Sequence, residues 1–277
     1  MGLSLPRIDP SSRVAAAARL ADDVEVGPFC TIGPNVELRA SVRLLSHVNV
    51  AGVTVIGEQT AVYPFASLGT APQSTGYRGG ATKLTIGHHC QIREGVTIST
   101  GTEDGGQVTT VGDRCFLMAN SHIGHDCHVG NDVTLANGAV LGGHVSIADH
   151  VFIGGNTAVH QFVRVGEGAM LGGMSGIAAD IIPFGFALGQ RAVLIGLNVV
   201  GLKRRKFSRT ELHRIRSAYK MLFFGDDTFP ERLERTSLEF SGDSVVEKII
   251  SFIREGGKRR PMMPMPESNH ADSDDLP

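Results

Sequence analysis

Aliphatic residues recur at every sixth position from Val14 onward: Val14, Leu20, Val26, Ile32, Leu38, Leu44, Val50, Ile56, Val62 and Leu68 follow without a miss. The register resumes at Ile86, Ile92 and Ile98, slips by one residue, and runs from Val111 through Leu117, Ile123, Val129, Leu135, Leu141, Ile147, Ile153, Val159, Val165 and Leu171 to Ile177. Neither the helical period nor the strict alternation of a flat strand gives this spacing. A six-residue clock predicts a hexapeptide parallel β-helix, a triangular prism in which three hexads close one coil. Glycine often follows the aliphatic residue (Gly27, Gly33, Gly57, Gly87, Gly112, Gly124, Gly130, Gly154, Gly166), which is read as a need for backbone conformations that a β-carbon resists. The fifth position of the hexad is small or β-branched, as at Val24, Val36, Val133, Ala139 and Thr157, as a narrow prism requires.

The clock stops twice, at 69–83 and 101–110, and both segments are expected to be loops extruded from the coil, where function commonly resides. After Ile182 and Pro183 the pattern becomes helical. Ser208 and Glu211 form a capping box ahead of Leu212, Ile215, Ala218 or Tyr219, and Leu222, and further helices are expected near 230–239 and 243–255. Helices packed across the open end of the prism would cover its last exposed strands. The expected organisation is a mainly β chain: a parallel β-helix over 1–190, a C-terminal α-helical domain over 191–256 and a disordered tail over 257–277. The general rule for parallel crossovers favours a right-handed coil.

Composition narrows the function. The 277 residues include 35 Gly and no Trp, and the formal charge of −2 argues against a nucleic-acid binder that works by neutralising phosphates. No apolar run is long enough for an integral membrane segment, and the start carries neither a charged nor an apolar leader region, so a cytoplasmic protein is expected. Pro6 occupies the position where a myristoylation signal needs Ser or Thr. Cys30, Cys90, Cys115 and Cys127 all fall on the inward fifth position, which makes them small core residues rather than metal ligands or disulfides. No metal site and no cofactor are expected.

The stretch MANSHIGHDCHVGN, 118–131, carries the candidate chemistry. With eighteen residues per coil, residues that far apart become vertical neighbours about 4.8 Å apart. Gly143 then sits above His125, His144 above Asp126, and Gln161 above Gly143 with His160 beside it, while His122 and His128 flank the patch. Imidazole is the natural general base near neutral pH. Asp126 is the candidate to orient His125, although neighbours on an extended strand point to opposite sides. The Gly143 amide, unshielded by a side chain, could stabilise an oxyanion. The run KRRKFSR, 203–209, with Arg214, Arg216 and Lys220, forms a basic strip suited to an anionic partner.

The motifs GHDC at 124–127, LGGHV at 141–145, GGNTAVHQF at 154–162, GGMSG at 172–176 and GLKRRKFSR at 201–209 are in the order and spacing of the UDP-N-acetylglucosamine acyltransferases of lipid A biosynthesis, which the chain resembles over about residues 8–255. The resemblance implies a left-handed coil and a homotrimer with active sites in the clefts between prisms. It further implies transfer of an (R)-3-hydroxyacyl chain from acyl carrier protein to the 3-position of a UDP-sugar. On this footing His125 is the base, Asp126 its partner and Gly143 the oxyanion amide. Gln73, His122, His144, His160 and Gln161 line the substrate site, Gly173 leaves the acyl groove open to a longer chain, and Asn198, Arg204 and Arg205 handle the UDP moiety. The basic helix fits the acidic carrier protein. Ser74, Gly76 and Val200 depart from charged residues of better-known members, which makes a 3-amino sugar the alternative acceptor. A metal-dependent hydratase on the same prism is a further alternative.

Overall fold

In the computed structural model, which describes residues 5–256 and 261–265, short strands stack into three parallel sheets that form the walls of a left-handed parallel β-helix. Among the described residues the first sheet holds eleven strands and includes Phe116–Leu117, the second holds nine and includes His122–Ile123, and the third holds eight and includes His128–Val129. Strands pair with partners eighteen residues away, as in Glu25↔Arg43 and His122↔Val140, so the coil period read from the sequence is the one the backbone adopts. Where the loops leave the coil the offset widens to 30 (Ala61↔Gln91) and then to 25 (Gln91↔Phe116).

The extruded segments are shorter than expected. Thr70, Lys83 and Val108 lie in strands Ser67–Thr70, Lys83–Ile86 and Val108–Val111, because pairing with the coils above and below satisfies their backbone groups as soon as the chain returns to the wall. Both loops leave from the edge between the second and third sheets.

Inside the prism the aliphatic column Val26, Leu44, Val62, Ile92, Leu117, Leu135, Ile153, Leu171 is fully buried. The four cysteines are buried free thiols within the same core. At the edges, the left-handed backbone position lies three residues after the aliphatic one, and most of its occupants are not glycine: Phe29, His47, Phe65, Asn120, Asp126, Asp132, His144 and His150 all have φ between 51° and 65°. The glycines that directly follow the aliphatic residues answer a different need. A Cβ on Gly27 would collide with the carbonyl oxygen of Leu45 in the next coil, so close approach, and not positive φ, fixes glycine there.

Past Ile177 the coil closes differently. Gly185–Leu188 pairs in parallel with Met170–Leu171, and Val193–Leu197 turns back antiparallel to it, so the first sheet continues beyond residue 190 before any helix starts. Among the described residues four helices follow: α1 (Val199–Arg204), α2 (Arg209–Phe223), α3 (Phe229–Glu239) and α4 (Ser244–Glu255). The Ser208–Glu211 capping box opens α2. Helix α1 was not expected from periodicity; it is six residues long, too short to show an amphipathic repeat. Leu202, Leu212, Ile215, Leu222, Ile249 and Ile253 join the prism core, and Arg164 donates to the Phe252 carbonyl at 3.0 Å while stacking on its ring. Part of the expected disordered tail is placed: Met262 is buried and its N–H donates to Asp180 O at 2.7 Å. The buried side chain and this backbone bond hold residues 261–265 against the prism; the rest of the tail lies outside the described residues.

Candidate active site

His125 and Asp126 occupy the turn between strands His122–Ile123 and His128–Val129, at the edge from which both loops emerge. The alternation that would point them apart does not operate here, because Asp126 takes a φ of 58° and the turn brings both side chains outward. His125 Nδ1 lies 2.8 Å from Asp126 Oδ2.

The carboxylate of Asp126 is almost wholly buried, and loop 100–107 folds down over it. The Thr102 hydroxyl donates to Oδ2 at 2.6 Å, the Thr102 N–H to both oxygens at 3.0 and 3.1 Å, and the Gly106 N–H to Oδ1 at 3.1 Å. A Cβ on Gly105 would strike the carboxylate, so the loop can close this tightly only with glycine there. Burial alone would raise the Asp126 pKa; the Thr102 hydroxyl, His125, the Thr102 amide and the nearby His144 outweigh it and hold the group below its ordinary value. An ionised carboxylate only accepts, so Nδ1 of His125 carries the proton. In the neutral imidazole that tautomer leaves the lone pair on Nε2, the arrangement a general base requires.

That imidazole lies over Gly143. A Cβ on Gly143 would meet His125 Cε1 at 2.5 Å and Nε2 at 2.7 Å, so the absence of a side chain is what lets the ring sit there. His144 crosses the His125 ring edge-on at 5.0 Å and stacks on Phe162 at 4.5 Å. Burial pushes the His144 pKa down, partly countered by Asp126, and His125 and His128 push it further the same way. His122 bonds Thr97 Oγ1 at 2.7 Å, and burial lowers its pKa too. His160 is exposed, with Nδ1 3.0 Å from the Gln161 carbonyl, and borders a mostly apolar groove of about 730 Å³ lined by Ile177, Ala179, Gln190, Ala192 and Met262. Gln73 is exposed on loop 71–82.

One chain does not bring every expected residue together. Gly173 belongs to the edge between the first and second sheets, whereas Arg205, paired with Glu167, belongs to the edge between the third and the first. Asn198 is largely committed to structure: it caps α1 by accepting from Gly201 N–H at 2.9 Å and donates to Gly168 O at 2.9 Å. Arg204 is exposed beside it, as is Val200. Ligand atoms of His125, Asp126 and His144 lie within 4.8 Å of one another, a cluster that spacing alone did not give as a ligand set. The Asp126 oxygens already accept from Thr102, Gly106 and His125, which suits a hydrogen-bonded carboxylate better than a cation ligand.

Residues 109–143 match the bacterial transferase hexapeptide repeat, and residues 180–263 match the second domain of UDP N-acetylglucosamine O-acyltransferase. The acyl-[acyl-carrier-protein]–UDP-N-acetylglucosamine O-acyltransferase of Azorhizobium caulinodans is 55% identical over 257 residues, covering 93% of this chain and 95% of that protein. The chain belongs to the UDP-N-acetylglucosamine O-acyltransferase family. The Rhizobium johnstonii protein of the same name is 45% identical over 91% of this chain and 93% of its own. A crystal structure of UDP-N-acetylglucosamine acyltransferase superposes with a TM-score of 0.90 at 37% identity, covering 94% of this chain and all of that one. The Francisella novicida UDP-N-acetylglucosamine acyltransferase does so with a TM-score of 0.90 at 34% identity, covering 96% and 97%.

Sequence reasoning missed Thr102, Gly105 and Gly106. The available signal was the break in the hexads at 101–110 combined with coil stacking, which places that loop one coil below Asp126.

Proposed function

We propose that the chain transfers an (R)-3-hydroxyacyl group from an acyl carrier protein thioester to the 3-hydroxyl of UDP-N-acetylglucosamine, the first step of lipid A biosynthesis. The observation that carries the mechanism is the orientation of His125, with Nδ1 on the ionised Asp126 and Nε2 over Gly143. Nε2 takes the proton of the sugar hydroxyl as its oxygen attacks the thioester carbonyl. The oxyanion so formed lies against the Gly143 amide, where a backbone donor stabilises developing charge without a side chain in the way. Collapse breaks the carbon–sulfur bond, and the proton on His125 leaves with the carrier thiol. Asp126 stays ionised throughout, because Thr102 and Gly106 bond its charged form.

In this reading His122, His144, His160, Gln161 and Gln73, which lie around this edge, line the sugar and acyl site. Gly173 and Arg204 with Arg205 lie on the two other edges of the prism, so a complete site needs a neighbouring copy; a homotrimer with sites in its three clefts is the reading we advance. The exposed Arg209, Arg216 and Lys220 on α2 suit an acidic carrier protein. We read the reaction as cytoplasmic because its donor is a thioester on that carrier. No helix among the described residues is long and apolar enough to cross a membrane. The hydroxyl acceptor is preferred over the amino sugar because the relatives carry O-acyltransferase names. Offering the purified protein UDP-N-acetylglucosamine and its 3-amino counterpart with the same acyl carrier protein thioester tests this: we expect strong preference for the hydroxyl sugar, and preference for the amine would overturn it.

A further inference from the structure

Loop 100–107 touches two things at once through adjacent residues. Thr102 holds the Asp126 carboxylate, as described. Glu103, next in the chain, turns the other way: its Oε1 accepts the backbone N–H groups of Gly80 at 2.5 Å and Arg78 at 3.1 Å, in the loop that carries Gln73. A Cβ on Gly80 would collide with the Glu103 side chain, so the approach is as close as the backbone permits. Beneath this contact the two loops share a buried bond, Thr82 Oγ1 to Thr100 Oγ1 at 2.9 Å.

We propose that Thr102 and Glu103 form a two-residue clasp in which Thr102 positions the Asp126–His125 pair and Glu103 positions loop 71–82 for the sugar nucleotide. Both are positioning residues; neither touches the reacting atoms. The inference rests on the assignment of His125 as base and of Gln73 to the acceptor site. Its physical content is a division of labour. Losing the hydroxyl bond to a buried carboxylate loosens the base without altering the sugar's seat. Freeing two amides of an exposed loop loosens the seat and leaves the base in place.

The test is steady-state kinetics of the full chain with acyl carrier protein thioester and UDP-N-acetylglucosamine. Thr102→Val is expected to lower kcat about 10- to 100-fold, the range for one hydrogen bond to a charged group, with KM for the sugar nucleotide unchanged. The acidic limb of its pH profile should move to higher pH, since Asp126 loses a donor that favours its charged form. Thr102→Ser should restore both. Glu103→Ala should raise KM for the sugar nucleotide about tenfold with kcat within about twofold, a loss of similar size. The clasp is wrong if Thr102→Val keeps full kcat, if Thr102→Ser fails to rescue it, or if Glu103→Ala leaves KM alone. Parallel loss of both constants with a lowered Tm in both variants would reduce the clasp to ordinary loop stability and also overturn it. His125→Ala separates the two layers: full activity there removes the base assignment itself, whereas its loss beside an unaffected Thr102→Val removes only the clasp.

Discussion

Two edges of this prism carry nearly the same residues and do different things. At the edge between the second and third sheets, Asp126 lies below His144; at the edge between the third and first, Asp132 lies below His150. All four occupy the left-handed turn position, with φ between 56° and 61°, and each histidine is eighteen residues above its aspartate. Asp132 is bound in parallel by two nitrogens of Arg114, both at 2.8 Å, and its side chain is 31% exposed, against 2% for Asp126. A guanidinium neutralises Asp132, so it has little left to offer an imidazole, and the Arg114–Asp132 pair beneath His150 is a solvated ion pair of small energetic consequence. Asp126 is instead met by the neutral donors of Thr102 and Gly106 under a covering loop, which keeps its charge uncompensated and directed at His125. Stacked His and Asp are therefore not sufficient for a base; the two edges differ in the covering loop and in the residue before the aspartate, His125 at one and Asn131 at the other.

The largest test of that contrast is His125→Ala against His150→Ala. The first should cost at least about 10²–10⁴-fold in kcat, the range for a positioned general base, and the second should leave kcat within about twofold by the same assay. Gly143→Ala follows: its Cβ would stand 2.5–2.7 Å from the His125 ring, so the imidazole must leave its place. A loss of about 10²-fold, the cost of displacing a reacting group by an ångström, is expected with Tm nearly unchanged; wild-type turnover would show that the ring position is not the working one.

Smaller effects concern pH. Asp126 and Asp132 both have lowered pKa values, Asp126 because its hydrogen bonds outweigh burial and Asp132 chiefly through Arg114. Each thus contributes stability that is fully present above the unfolded value of about 3.9 and lost as pH falls through the depressed folded value. Denaturant titrations below about pH 4 should show a shallower acid loss in Asp126→Asn and in Asp132→Asn; only the former should also lose activity at pH 7. His122 and His144 are held low by burial, so the unfolded chain protonates first and stability should fall as pH drops below about 6.5. His144→Gln should flatten part of that slope, and an unchanged slope would contradict the burial argument. The smallest effect on rate is Gly173→Met. A Cβ there meets only Gly155 O at 3.3 Å and Gly155 N at 3.7 Å, so a side chain fits with slight adjustment, and preference should shift to a shorter acyl donor; an unchanged donor profile would remove Gly173 from chain-length selection.

The amino-acid sequence by itself determined the coil. A strict six-residue aliphatic period has one economical burial solution, and the vertical neighbours His125 and Gly143, or Asp126 and His144, follow from it by counting. The cysteines were legible for the same reason, since their inward phase is part of the period. Tertiary structure alone decided what lies outside the period. The His125–Asp126 bond depends on a turn whose φ the alternation rule does not contain, and the grip of Thr102 depends on a loop that breaks the register and folds onto the turn of the coil above it. Helix α1 and the reversed strand Val193–Leu197 were hidden likewise, being too short to carry a period. Repetition transmits geometry along the chain, whereas the contacts that turn two ordinary side chains into a base arise where repetition is interrupted.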